Sequence, residues 1–461
     1  MKISRRKFIK QVSIVTLGFT AFTKLAASQV FHNNNKFKNL NLQIDPKGVL
    51  NLPKGFTYKV ISKHKDLMND GLLVPNKADG MACFKHTNNK VILVRNHELG
   101  HFPNLGKLFN TTNPFGKNFS KYLRKNKKKI YDIKRNKTSC FGCTTTIVYD
   151  LKNKKTLKQF LSLSGTLVNC SGGPTPWDSW ISCEETVKVK GPGLNKNHGY
   201  NFEVPATANL KLNKAVPIKT MGRFKHEAVA IDEKNNFIYQ TEDREKGLFY
   251  RFIPNKMGKL LEGGKLQALS LKNFRGTDCS NWNQTTFKIG QKRIVKWIDL
   301  DNVESPKDDL RSRGRNKGCA IFARGEGLWF ANDYIYFTAT KGGKDKKGQI
   351  WRYKHIGRRG AEGELELFFE HDKNDYLSMP DNITVSPWGD IIVSEDHLGH
   401  HDRLVGIKPN GTIYHLAKNI LNKSEFAGAT FSPNGKVLFV NIYKPTMTIA
   451  ITGPWGKISK I

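Results

Sequence analysis

Acidic residues recur in this chain at matched positions beside short apolar runs. Glu227 stands just before the run 228–231, and Glu242, with Asp243 next to it, closes the run that follows, fifteen residues on. Asp381 and Glu395 repeat the arrangement at an offset of fourteen, and so do Cys170 and Glu184. Asp79 and Glu98 repeat it at nineteen, while Glu326 lies fourteen before Thr340, where the second acid is missing. Carboxylates gathered at one place cannot all stay ionised, because like charges force some of them to protonate. Bound cations are the natural remedy. Oxygen donors favour calcium, whereas the thiolate of Cys170, standing where other units carry an acid, favours a transition metal. The candidate metal ligands are therefore Cys170, Glu184, Glu227, Glu242, Glu326, Asp381 and Glu395. Arg223, Lys225, Arg244, Arg324 and Lys341 are the nearby basic residues. Arg324, two residues before Glu326, has the planar fork that matches an oxyanion, with Arg223 and Lys341 as further candidates. Cations beside an arginine suit phosphoryl or sulfuryl oxygen chemistry. No G-x-S-x-G, P-loop or dinucleotide-binding fingerprint is present, so serine hydrolase, NTPase and nicotinamide-enzyme readings lack support.

The runs that flank these residues read as short strands separated by Asp, Asn and Gly turns. In an antiparallel pair the start of one strand lies beside the end of the next, so Glu227 and Glu242 should meet at one sheet edge. Repeated small antiparallel sheets predict an all-β fold, a six-bladed β-propeller with loop insertions. The acids would then converge on one mouth of the channel, whereas a β-sandwich would scatter them. Five units are clear, and a sixth is suspected around residues 144–163 or 259–303. The reading divides the chain into a leader (1–28), an N-terminal arm (29–54) and a single propeller domain (55–461).

A formal net charge of +37 invites a nucleic-acid reading, but the lysines are scattered through the chain, so no specific nucleic-acid partner is expected. The densest basic run, residues 121–137, is either a solvated loop or a docking patch for an anionic partner. A basic exterior would also steer anionic substrates inward. After the N-terminus no stretch is long and apolar enough to span a bilayer. The seven cysteines leave at least one unpaired. Cys140 and Cys143, in C-x-x-C spacing, admit a local disulfide, buried thiols or a metal.

Asn169-Cys170-Ser171-Gly172-Gly173-Pro174-Thr175-Pro176-Trp177, then Ser182-Cys183-Glu184-Glu185, Gly222-Arg223-Phe224-Lys225-His226-Glu227-Ala228 and Arg324-Gly325-Glu326 together resemble the PhoX family of alkaline phosphatases. The resemblance runs from about Asp79 to the end of the chain. It implies a six-bladed propeller with iron and calcium bridged by an oxo group, acting on phosphomonoesters. It places Cys170, Glu227 and Glu326 at iron-site positions and Arg324 at a phosphate-contacting position. Glu184, Glu242, Asp381 and Glu395 are the calcium ligands expected with it. Two other readings fit the same residues: a calcium-dependent lactonase-like propeller, and a non-catalytic metal-stabilised binding propeller.

Residues 1–28 read as an address. Ser4-Arg5-Arg6-Lys7-Phe8-Ile9-Lys10 resembles a twin-arginine export motif, followed by a modest apolar stretch and small residues before Ser28. The expected partner is the twin-arginine export machinery, and the expected destination is the periplasm or the outer surface of a bacterium. Changing Arg5 and Arg6 together to Lys should strand the protein in the cytoplasm. Cell fractionation checks this, and a normal exported yield would contradict it.

Overall fold

The computed structural model describes residues 36–100, 113–133, 140–357, 362–397 and 399–461. The leader and its arginine pair lie outside the described residues, as does the 134–137 end of the basic run. Among the described residues no helix is long and apolar enough to cross a membrane.

The chain is all-β with a propeller-like arrangement and only short helices. Its strands carry nearly continuous apolar runs instead of clean alternation. Val437–Ile442 is buried along its whole length, and so is Gly142–Asp150. Strands covered on both faces read this way, and here each sheet packs between two neighbours. The apolar side chains fill the spaces between sheets, as where Tyr149 meets Phe439 edge-on at 5.5 Å.

Six strands are the first of their local sheets: Ala78–Lys85, Asn169–Pro174, His226–Asp232, Gly325–Ala331, Pro380–Val385 and Phe426–Phe431. Each packs beside the next, and the last packs beside the first. Among the described residues the hydrogen-bonded sheets nevertheless number five, because one has nine strands. In it, Lys292–Asp299 pairs with Glu362–Glu370 and joins two outer edges that would otherwise be exposed. The stretches suspected of hiding a sixth unit are thus no separate unit. Residues 259–303 supply Gly264–Leu271 and that joining strand, and residues 144–163 lie in the outer strands of the sheet that starts at Ala78–Lys85. The described part of the arm lies along the sheet of Pro380–Val385, with Phe37–Lys38 and Leu50–Asn51 both pairing Ile413–Asn419. Thr57–Lys63 completes the sheet of Phe426–Phe431 by pairing Met447–Thr452, so the two ends of the fold are stitched together.

Neighbouring first strands approach backbone to backbone, and glycine makes this possible. A Cβ on Gly173 would stand 1.9 Å from the carbonyl oxygen of Val229 in the next strand, and one on Gly327 would stand 2.4 Å from that of Asp381. Gly173→Ala should therefore destabilise the fold by about 1–3 kcal/mol, the usual range for overpacking a rigid interior. Urea unfolding measures it, and a shift of less than roughly 0.5 kcal/mol would contradict the packing described.

Candidate metal centre

Every one of the six first strands carries the same irregularity near its start. The register slips between Ala78 and Met81, Asn169 and Gly172, His226 and Val229, Gly325 and Leu328, Pro380 and Ile383, and Ala427 and Thr430. A bulge of this kind re-aims a side chain at the rim of a sheet. The residue just inside each slip is Asp79, Cys170, Glu227, Glu326, Asp381 and, in the last strand, Gly428. The second strand of each sheet returns to the same rim, pairing His97 with Ala78, Glu184 with Asn169, Glu242 with His226 and Glu395 with Pro380.

This pairing decides which member of each acidic doublet enters the mouth. Paired residues share a face and the next residue points the other way. The fold brings Cys170, Glu227, Glu326 and Asp381 together, with Cys170, Glu185 and Glu227 in one cluster and Glu227, Glu326 and Asp381 in the adjoining one. Within each cluster the ligand atoms lie within 4.8 Å of one another. A third cluster joins Asp381 to Asp396 and Glu425. Glu184, Glu242 and Glu395 are not in the mouth. Glu184 accepts from His198 Nδ1 at 2.6 Å and from the amides of Leu167 and Gly199 at 2.8 Å. Glu242 accepts from the Tyr250 hydroxyl at 2.8 Å, and Glu395 is forked by Arg403 at 2.6 Å on both oxygens. Their neighbours Glu185, Asp243 and Asp396 take the inward places, together with Glu98 after His97. Parity counted from the paired residue would have found them. Glu425, just before its strand, stands outside the repeat and carried no such signal.

The basic candidates also separate. Arg324 holds Asp243 with Nε at 2.6 Å and Nη2 at 3.1 Å, and Nη2 lies 2.7 Å from Glu326 Oε1. Its backbone is left-handed at φ 57°, an uncommon state for a residue with a Cβ, and Thr340 N donates to its carbonyl at 2.9 Å. Arg223 does not face the mouth. It is fully buried, with Nε donating to the His198 carbonyl at 2.7 Å, Nη1 to that of Ser305 at 2.9 Å and Nη2 to that of Val187. A guanidinium committed to three carbonyls is a structural brace. Lys341 stands at the rim beside Glu245, at 3.2 Å, and Arg244 pairs with Asp308 at 2.9 Å. Lys225 is the inward lysine, 2.6 Å from Glu185 and 3.2 Å from Asp243.

Polar side chains from the preceding sheet hold the mouth residues by their carbonyls. Asn96 Nδ2 donates to Cys170 O at 3.1 Å and to Ser171 O at 2.6 Å. Asn441 Nδ2 donates to Asp79 O at 2.7 Å, Thr241 Oγ1 to Glu326 O at 2.5 Å and Thr338 Oγ1 to Asp381 O at 2.8 Å. Four of the five bulges that carry these side chains are therefore set by the sheet next to them.

The profile of the family described as alkaline phosphatase PhoX matches residues 36–446. The chain belongs to the PhoX family of alkaline phosphatases. Among solved structures it is similar to Pseudomonas fluorescens PhoX in complex with vanadate, a transition state analogue. That match has 17% identity and a TM-score of 0.64, and covers 89% of this chain and 97% of that one. It is more distantly similar to a gluconolactonase from Xanthomonas campestris, at 10% identity and a TM-score of 0.39 over 86% of this chain and 98% of that one. A luciferin-regenerating enzyme matches at 11% identity and a TM-score of 0.40, over 87% and 96% respectively. Comparison with curated protein sequences returns no match. Family membership makes the chain a phosphatase, and its family is metal-dependent.

The residues present fit a metal cluster. Glu227 is fully buried, and neither of its carboxylate oxygens has a hydrogen-bond donor. Asp79 Oδ1 is buried and unpartnered as well. An isolated carboxylate is not tolerated in such a place without a cation or a proton. Without cations, burial and then neighbouring carboxylates push Glu227, Glu326, Asp79 and Glu425 well above the usual carboxylate range. Burial and then Asp243 push Glu185 up to about 8, and burial and then Asp396 push Asp381 up to about 7. Burial and the surrounding acids likewise push the Cys170 thiol up. Asp243 runs the other way, held low against its burial by Arg324 and Lys225.

A carboxyl whose folded pKa exceeds its unfolded value binds more protons when folded. Its stabilising contribution is present at low pH and is lost as pH climbs through the folded value. Chelated protein should therefore lose stability between about pH 5 and pH 8, the window set by Asp381 and Glu185, and added calcium should abolish that loss. Denaturant unfolding across that range checks it. Stability that stays level or rises in the chelated protein would contradict the reading.

Proposed function

We propose that this phosphatase is an exported, metal-dependent phosphomonoesterase that works at the mouth of a six-bladed propeller, with iron and calcium as its cations. The blade count is supported by the six first strands that neighbour one another in a closed ring. The nine-stranded sheet then counts as two blades that share an outer edge. The observation that carries the reading is Glu227: a buried carboxylate without donors, central to two overlapping ligand clusters. A lactonase-like mouth built on one calcium would not need three adjoining clusters.

Cys170, Glu227 and Glu326 are assigned to iron, with Glu185 beside them. Asp381, Asp396 and Glu425 are assigned to calcium, with Asp79, Glu98 and Asp243 completing the acidic lining. Bound there, such cations would neutralise a phosphate ester and activate an oxygen nucleophile. The chain's own residues then orient the substrate. Arg324 presents a guanidinium already fixed by Asp243 and Glu326, so little side-chain freedom is lost when it meets an oxyanion. Lys225, clamped between Glu185 and Asp243, keeps positive charge next to the same acids. The basic surface draws phosphate esters toward a mouth that is acidic until it is loaded.

Hydrolysis of an aryl phosphate by natively exported protein tests the proposal, with elemental analysis alongside. Exhaustive chelation should abolish turnover, and full activity afterwards would overturn the metal-dependent reading. Cys170→Ser should lose iron, because it replaces a soft donor with a hard and mostly protonated one. Arg324→Lys should keep its metals yet turn over ~10–100-fold more slowly, since Lys retains the charge and loses the fork. Normal turnover in that variant would move the oxyanion contact to Lys225.

A further inference from the structure

We infer that Asp132, Cys140 and His198 form a second metal site, separate from the mouth, that holds one zinc ion. The three ligand atoms lie within 4.8 Å of one another and all three residues are buried. His198 Nε2 stands 3.3 Å from Asp132 Oδ2 and 3.8 Å from Cys140 Sγ. Tetrahedral zinc has Zn–N and Zn–O distances of roughly 2.0–2.2 Å and a Zn–S distance of about 2.3 Å, so its ligand atoms stand roughly 3.3–3.7 Å apart. The two spacings from His198 lie at or just beyond those edges, and Asp132 and Cys140 stand within 4.8 Å of each other.

The second observation is on the far side of the imidazole. His198 Nδ1 lies 2.6 Å from Glu184 Oε1, and Glu184 is held in turn by the amides of Leu167, Gly199 and Tyr200. Metal-binding histidines characteristically donate their other ring N–H to a carboxylate, which fixes the tautomer and raises the basicity of the ligating nitrogen. Here that bond leaves Nε2 facing Asp132 and Cys140. Asp132 is oriented in the same manner: Asn195 donates to both of its oxygens, from N and Nδ2 at 2.8 Å, and Lys196 N donates at 3.1 Å. Donor type agrees as well, because imidazole, thiolate and one carboxylate together suit zinc better than calcium.

Cys143, the partner in the C-x-x-C spacing, is not part of the cluster. It lies within the Gly142–Asp150 strand opposite His97. The second ligand to the cysteine thus comes from a residue 58 positions away and not from the motif. The site would tie Asp132 and Cys140 to the end of the strand that carries Glu184, one residue from Glu185 in the mouth.

This inference stands apart from the phosphatase reading, and its test has a readout besides turnover. Cobalt(II) is the probe, added to the full chain in a Cys170→Ser background so that no mouth thiolate contributes. One equivalent should give tetrahedral visible bands and a thiolate-to-cobalt band in the near ultraviolet, and one equivalent of zinc should displace both. Adding Cys140→Ser should remove the thiolate band. Asp132→Asn, which keeps the shape of the side chain, should weaken zinc binding by more than ~10-fold in a competition titration, which gives a second reading should the cysteine variant fold poorly. Absence of the thiolate band in the Cys170→Ser protein would overturn the proposal. So would its persistence after Cys140→Ser, or unchanged zinc affinity in Asp132→Asn.

Discussion

Like-charge crowding at one mouth governs this molecule. Two carboxylates within 4.8 Å of each other repel by at least roughly 3 kcal/mol at an effective dielectric near 20. A few such pairs equal the whole stability of an ordinary domain, about 5–15 kcal/mol. The mouth is therefore compatible with the fold only when protons or cations neutralise it. The surrounding architecture meets that condition by holding the acids still. Bulges aim them, Asn and Thr side chains from the preceding sheet pin their carbonyls, and glycines let adjoining strands close to backbone contact. A looser scaffold would let the acids splay into water, and no cation would be needed.

Much of this was legible in the sequence, and the part that was not has one cause. The repeat of strand, turn and acid marks the sheets and sets Cys170, Glu227, Glu326 and Asp381 at equivalent positions, where the fold brings them together. The doublets Glu184-Glu185, Glu242-Asp243 and Glu395-Asp396 offered two acids each, and spacing alone cannot choose between neighbours that point to opposite faces. The choice rests on which residue pairs opposite the bulge, a fact of register. Arg223 misled for a similar reason. Its place between Gly222 and Phe224 says nothing of the three carbonyls that surround it. Long-range meetings such as Cys140 with His198 are invisible to any local pattern.

Charge is partitioned in a manner that matches phosphate ester chemistry. The chain carries a net +37, yet a group of its acids gathers in the mouth with few basic groups among them. An anion approaching the loaded mouth meets a favourable field throughout. An empty mouth would repel it. Arg324 stands where the two regimes meet, with one edge spent on Asp243 and Glu326. Its left-handed backbone shows that the position is imposed by the fold.

The doublets add a further layer. In each, the inward acid faces the mouth while the outward acid is tied to the body of its sheet: Glu184 to His198, Glu242 to Tyr250 and Glu395 to Arg403. The two share a peptide bond, so a shift of one strand end moves both. Disturbing the outward anchor must then displace an inward ligand, although the anchor touches no cation. Metal geometry requires ligand positions good to a fraction of an ångström, which a strand end frayed into solvent could not supply. Outward acids with dedicated donors give those ends fixed positions. The outward carboxylates thus belong to the working of the mouth even though they point away from it.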